Sequence, residues 1–147
     1  MTVSVEAKSV RGCDAMPRYV ILLHQMPADS GRATHWDLML EDGEILLTWA
    51  LQALPEHGRV AQVRMLPDHR PAYLTYEGPV SGHRGSVRRW DQGRFQWVQR
   101  NDHSLHIRLQ GQRLDGEIRL TRKQRSAASW RMEYLASDTA QQQGDRS

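Results

Sequence analysis

Short apolar runs interrupted by polar residues dominate the chain between about residues 18 and 135. Alternation with a period of two is typical of β-strands that bury one face. We therefore predict strands over residues 18–23, 36–41, 45–51, 60–66, 85–90, 94–99, 105–109, 114–122 and 130–134. Because no stretch has a sustained helical period, the pattern favours a mainly β barrel or sandwich over a layered α/β fold.

Two turns are predicted from short polar segments between these runs. Asp42-Gly43 separates the second and third strands, and an Asp-Gly pair is favoured in tight hairpin turns. Asp91-Gln92-Gly93 separates residues 85–90 from residues 94–99, which indicates a three-residue hairpin connection with glycine at a bulge. Both predictions make consecutive strands antiparallel neighbours.

The chain has 147 residues, a length that fits one domain with a real core. We expect a flexible arm over residues 1–16, the folded domain over 17–136 and a disordered polar tail over 137–147. The single cysteine, Cys13, excludes an internal disulfide framework and a thiolate metal cluster. No signal peptide or apolar run of about 20 residues is present, so we expect a soluble cytoplasmic protein with no membrane association.

The formal net charge is +3, and only Lys8 and Lys123 are lysines among the 20 basic residues. Arginine favours bidentate recognition of phosphate and carboxylate groups. A G+C-rich genome explains the arginine excess equally well. The charge therefore permits a nucleic-acid partner without requiring one.

The segment His35–Glu41 contains the strongest chemical signal. On a strand His35, Asp37 and Met39 share one face, whereas Trp36, Leu38 and Leu40 form an apolar face suited to a core. An imidazole and a carboxylate side by side can hold a divalent cation together with a second histidine. Two histidines and one carboxylate suit manganese, iron or zinc, so the residues predict a metalloenzyme.

Four blocks of sequence resemble the 3′-phosphoesterase domain of bacterial DNA ligase D, including its stand-alone relatives. Together they span roughly residues 18–135. The first block, residues 19–24, ends in His24, and the second, residues 35–51, begins with His-x-Asp. The third block, residues 68–93, begins with Asp-His and has a tyrosine four residues after that histidine. The fourth block is residues 105–134. The order of the blocks is specific, although each block alone is weak.

The resemblance implies a single-domain compact β-barrel of short, mostly antiparallel strands with few short helices and an active site on its outer surface. It also implies Mn²⁺ as the cofactor, with His24, His35 and Asp37 as its ligands, and His69 and Tyr73 at the scissile phosphate. His69 is suited to protonate the leaving oxygen, because an imidazole titrates near neutral pH. The implied reaction removes a 3′-ribonucleoside or a 3′-phosphate from DNA or DNA–RNA ends during repair.

This chain departs from the family pattern in two places. The family usually has an arginine two positions after the ligand aspartate, and here that position is Met39. The segment between His24 and His35 is also longer than is usual, and it reads as an exposed loop near the site. Other basic side chains are candidates for contacting the substrate in place of the missing arginine, namely Arg32, Arg70, Arg84 and His83.

Three functions follow as hypotheses. The first is an active 3′-end phosphoesterase that works in trans with a DNA ligase, a polymerase or an end-binding repair protein. The second is a catalytically weakened, metal-containing module that binds nucleic-acid ends. The third is a non-haem iron oxygenase, in which His35, Asp37 and a distal histidine form the metal-binding triad and His24 is not a ligand.

Overall fold

A computed structural model of the chain describes residues 16–137. These residues form nine β-strands and one short 3₁₀ helix, Pro71–Leu74. The strands are β1 (Arg18–Gln25), β2 (His35–Asp42), β3 (Ile45–Leu51), β4 (Val60–His69), β5 (Gly78–Pro79), β6 (Ser86–Arg100), β7 (Ser104–Gly111), β8 (Asp115–Thr121) and β9 (Ser129–Ala136). Except for Met16 and Ser137, the predicted arm and tail lie outside the described residues.

The sheet closes into an antiparallel barrel. Its strands follow the order β1-β2-β3-β4-β9-β8-β7-β6, and β6 pairs back to β1. The two-residue strand β5 is an extra strand that pairs with the start of β6. This arrangement confirms the predicted β-barrel, and closure leaves the eight barrel strands without a free sheet edge.

The hairpin between β2 and β3 is confirmed. Asp42 pairs with Ile45, so Gly43 and Glu44 form a two-residue turn. Gly43 has a φ of 64°, a left-handed conformation that glycine adopts without steric cost.

The predicted hairpin at Asp91–Gly93 is wrong, because β6 runs without a break from Ser86 to Arg100. Asp91 is buried, and it accepts hydrogen bonds from Tyr19 Oη at 2.6 Å and from the backbone N–H groups of Arg113 and Leu114. Gly93 is needed for close packing, since a Cβ there would lie 2.2 Å from the Gln110 carbonyl oxygen. Both residues therefore serve strand packing, although their composition is typical of a turn.

The apolar residues form two cores on opposite sides of the sheet. The larger core fills the barrel, with Trp49, Phe95 and Ile107 fully buried within it. The smaller core lies outside the barrel, where Leu74 of the 3₁₀ helix and Val80 pack over β1, β2, β3 and β6. Its members from the strands are Val20, Leu22, Met39, Leu46 and Val87.

No helix within residues 16–137 is long and apolar enough to cross a membrane.

Candidate metal centre and substrate pocket

The pairing of β1 with β2 brings His24, His35 and Asp37 together on the outer face of the barrel. His24 pairs directly with His35, and Leu22 pairs with Asp37 one step along the same face. One ligand atom from each of the three side chains lies within 4.8 Å of the others. Asp37 is 1% exposed and His35 is 7% exposed, so the group is largely shielded from water.

Each histidine is oriented by a backbone carbonyl. His24 Nε2 lies 2.7 Å from the Arg84 carbonyl oxygen, and His35 Nδ1 lies 3.0 Å from the Ala33 carbonyl oxygen. A carbonyl oxygen only accepts hydrogen bonds, so these two ring nitrogens carry the hydrogens. The other nitrogens, His24 Nδ1 and His35 Nε2, then face the Asp37 carboxylate at 3.2 Å and 3.0 Å.

This arrangement fits a divalent cation. In neutral imidazoles the nitrogens that face Asp37 present lone pairs, which repel the carboxylate unless a cation or added protons lie between them. Within residues 16–137, Asp37 Oδ1 is buried and accepts no hydrogen bond of good geometry, although His35 Nε2 is near. Two imidazole nitrogens and one carboxylate, with outer carbonyl partners, form a suitable ligand set for a transition metal.

The pKa values of His35 and Asp37 indicate that these side chains attract a positive charge. The facing Asp37 carboxylate raises the pKa of His35 above its ordinary value of 6.5, although burial opposes the shift. Burial acts to raise the pKa of Asp37, but the facing imidazoles of His24 and His35 outweigh it, and the pKa falls below 3.8. A positive charge among these three side chains is therefore favoured.

A pocket of about 370 Å³ opens over this group. Most of its wall comes from β4 and the following helix, and from residues 80–87. The side chains that line it are His24, Arg32, His35, Asp37, Met39, Leu66, Pro67, Asp68, His69, Arg70, Tyr73, Val80, Arg84 and Val87. The pocket thus joins the predicted metal ligands to the residues predicted at the scissile phosphate.

His69 and Tyr73 lie on opposite sides of a short turn. An irregularity in the pairing of β3 with β4 matches Leu46 with His69 and Thr48 with Leu66, so Pro67 and Asp68 bulge and His69 ends the strand. The Pro67 carbonyl oxygen lies 2.9 Å from His69 Nδ1, which leaves Nε2 available to the pocket. Pro71 begins the 3₁₀ helix that carries Tyr73, whose ring packs edge-on to His69 at 5.6 Å.

The candidate basic residues divide into two groups. Arg32, Arg70 and Arg84 line the pocket, and Arg84 also hydrogen-bonds with its side chain to Ser81. His83 is not among the lining residues, and its Nε2 lies 2.9 Å from Asp29 Oδ1 at an exposed position. The His83–Asp29 pair links the long loop after β1 to the loop before β6.

Met39 lies where the family usually has an arginine. It is 1% exposed and belongs to the outer core with Val20, Leu22, Leu46 and Val87. The pocket floor beside Asp37 is therefore apolar, and cationic side chains reach the pocket only from its walls.

Several parts of the site were missed by sequence reasoning. The carbonyl groups of Ala33 and Arg84 come from loops, and no residue type marks a carbonyl that will orient a histidine. Gly85 is one residue whose type could have indicated a close backbone contact at this site. It has a φ of 79°, and a Cβ there would lie 1.8 Å from the Gln25 carbonyl oxygen, so only glycine lets this loop approach β1 and place the Arg84 carbonyl beside His24.

Glu77 has a structural role in the same segment. Its carboxylate accepts a hydrogen bond from the Arg89 backbone N–H at 2.7 Å, which ties the turn before β5 to β6. This contact fixes the segment that carries Tyr73 and Val80 over the outer core.

The oxygenase hypothesis requires His69 to join His35 and Asp37 as a ligand. The group of side chains within residues 16–137 that could hold a metal contains His24 instead of His69. The geometry therefore gives the oxygenase hypothesis no support.

The fold and the site define a class of protein: a small closed β-barrel with two histidines and an aspartate, a group that could hold a metal ion, in an arginine-lined pocket on its outer face. Residues 26–122, about two thirds of the chain, match the family model described as the DNA Ligase D 3′-phosphoesterase domain. The chain belongs to this family, which indicates a phosphoesterase that processes 3′ ends. His24 lies two residues before the matched segment. No curated protein matches the chain.

Proposed function

We propose that this protein is a Mn²⁺-dependent phosphoesterase that removes a 3′-ribonucleoside or a 3′-phosphate from DNA or DNA–RNA ends. One observation carries the proposal: the pocket that holds His24, His35 and Asp37 is also lined by His69, Tyr73 and three arginines. The substrate suggests a role in break repair in the cytoplasm, in trans with a DNA ligase, a polymerase or an end-binding protein.

His24 Nδ1, His35 Nε2 and a carboxylate oxygen of Asp37 would hold the metal. When bound, a divalent ion polarises a phosphoryl oxygen and lowers the pKa of a bound water. The Ala33 and Arg84 carbonyl groups keep both rings turned toward Asp37. This orientation points one nitrogen of each ring at the site that the metal would occupy.

The remaining residues supply charge and protons. In the hydrolysis, a water oxygen forms a new bond to phosphorus, the ester P–O bond breaks, and the leaving oxygen takes a proton. The Pro67 carbonyl oxygen accepts a hydrogen bond from His69 Nδ1, so Nε2 faces the pocket. As the imidazolium, with a proton on Nε2 as well, His69 is suited to donate that proton to the leaving oxygen. Tyr73 and the arginines that line the walls are donors for the phosphate oxygens.

The test is release of a 3′-terminal ribonucleoside or phosphate from a 5′-labelled primer, with and without Mn²⁺. We expect His69→Ala to lower kcat by about 100-fold or more, the usual effect of removing a general acid. His103→Ala is the control, because His103 is exposed and is not among the lining residues. Equal rates for wild type and His69→Ala, or release that is indifferent to Mn²⁺, would contradict the proposal.

A second function is favoured by the burial of Met39, namely a weakened module that binds nucleic-acid ends. Loss of a donor at the site of charge build-up costs about 3 kcal/mol in other enzymes, or roughly a hundredfold in rate. The arginine-lined walls would still hold a terminal phosphate. This module would bind 3′-phosphate ends with Mn²⁺ but show no turnover.

Met39→Arg separates the two functions, provided that folding is measured with activity. We expect the change to lower the free energy of unfolding by about 2–3 kcal/mol, because the arginine stem displaces a side chain packed in the outer core. A weakened enzyme should gain turnover in the folded fraction. A binding module should show no turnover, although it is folded and binds metal.

A further inference from the structure

A row of outward-facing residues leads from the metal centre across the barrel. Strand pairing matches Asp37 with Ala50, Ala50 with Arg64, and Arg64 with Ser129. These residues share the outer face of β2, β3, β4 and β9, at the level of the metal ligands. Two residues further along β9, Arg131 lies on the same face and pairs with Gln62 and Thr121.

Arg64 and Arg131 are exposed, and neither forms an ion pair with an acidic residue within 16–137. Four other surface arginines have acidic partners, in the pairs Arg18–Glu41, Arg59–Glu56, Arg100–Asp42 and Arg125–Asp102. The positive charges of Arg64 and Arg131 are therefore open to an external anion.

The surface around the metal centre is covered on one side. On the β1 and β6 side of the metal centre, Leu74 and Val80 cover the outer core, and Glu77 ties their segment to β6. On the β3 and β4 side the partner of Asp37 is Ala50, which has the smallest side chain of the row, and the next residue across the sheet is the exposed Arg64. A strand whose end lies in the pocket would reach Arg64 by passing over Ala50.

Resting on the proposed function, we infer that Arg64 and Arg131 form a phosphate-binding track for the nucleic-acid strand that leads to the 3′ end. Neighbouring strands lie about 4.8 Å apart and residues rise about 3.3 Å, so Arg64 and Arg131 lie about 10 Å and about 16 Å from Asp37 between Cα atoms. For a stacked strand with the B-form rise of about 3.4 Å per phosphate, the track contacts phosphates about three to five nucleotides from the end. Glu133, the next residue on this face of β9, ends the basic surface.

Binding of a 5′-fluorescein DNA single strand with an ordinary 3′-hydroxyl tests the track apart from turnover. Fluorescence anisotropy gives Kd for strands of 3 and 12 nucleotides, in 0.05–0.3 M salt. Each lost phosphate contact lowers the slope of log K against log salt by about 0.7, or about fivefold in affinity at 0.1 M salt. We expect the double variant, Arg64→Ala with Arg131→Ala, to bind the 12-nucleotide strand about 25-fold more weakly than the wild type. The single variant Arg131→Ala should bind the 3-nucleotide strand with wild-type affinity.

Two controls complete the test. Arg113→Ala removes an exposed arginine that stacks on Trp90, away from the track, and should leave the affinity and slope unchanged. Arg64→Lys with Arg131→Lys keeps both charges and should preserve the salt slope. If the double alanine variant binds the long strand with wild-type affinity and slope, or if the wild type binds no strand, the track is overturned. If the wild type shows this binding pattern but no turnover in the primer assay, the proposed function is contradicted and the track is not.

Discussion

Replacing Asp37 with asparagine tests the metal centre most directly. The change keeps the size of the side chain but removes the one negative charge that faces both imidazoles, at 3.0 Å and 3.2 Å. Loss of an outer partner of a metal ligand typically costs 10–100-fold in metal affinity. Loss of the only carboxylate in the group should therefore weaken Mn²⁺ binding by at least about 100-fold, or about 2.7 kcal/mol.

Thermal unfolding measures this loss without any assumption about the substrate. At a Mn²⁺ concentration 100 times the wild-type Kd, binding stabilises the fold by about 2.7 kcal/mol. For a domain of this size, 1 kcal/mol moves Tm by about 3–5 °C, so the wild type should gain about 8–14 °C. A variant with 100-fold weaker binding gains only about 0.4 kcal/mol at that concentration, or about 1–2 °C.

The matched control is Asp68→Asn, which removes a carboxylate that lines the same pocket but lies outside the group of three ligands. It should keep the metal-induced rise in Tm. The metal-free Tm of each variant is measured first in chelator, because Asp37 also stabilises His24 and His35 in the absence of metal. If Asp37→Asn keeps the wild-type rise in Tm, the metal centre lies elsewhere and the reasoning from β1 and β2 fails.

Two further predictions concern stability, with unfolding in urea as the measurement. In metal-free protein, the raised pKa of His35 contributes stability that is fully present below pH 6.5 and is lost as the pH rises through the folded-state pKa. The lowered pKa of Asp37 contributes stability that is present above pH 3.8 and is lost as the pH falls through the folded-state pKa. Stability should therefore be greatest between about pH 4 and 6.5, and equal stability at pH 5.5 and 8.5 would argue against the coupling. Gly111→Ala should cost about 3 kcal/mol, because a Cβ there would lie 1.8 Å from Tyr19 Oη and would break its buried hydrogen bond to Asp91. Gly43→Ala, where nothing lies within 4 Å, should cost about 1 kcal/mol for its positive φ, and equal losses at the two glycines would refute the packing argument.

The strands could be predicted from sequence because side-chain direction in a strand depends only on local backbone geometry. Residues 45–51 match β3 at both ends, and Trp130, Met132 and Tyr134 all face the barrel interior as their alternation indicates. The same rule predicted that His35 and Asp37 share a face, which the register of β2 bears out. Composition failed at Asp91 and Gly93, since turn-forming residues also serve where a buried carboxylate or close backbone contact is needed.

The alternating pattern by itself determined which residues are strands and which faces they bury, because both follow from a two-residue period. Only the tertiary structure decided that His24 joins His35 and Asp37, that β6 continues past Asp91, and that Met39 packs in the outer core. Each of these depends on pairing between segments distant in the chain, and on loops whose carbonyl groups carry no sequence signal. The pocket over Asp37, with walls from β4, the 3₁₀ helix and residues 80–87, likewise exists only once the barrel has closed.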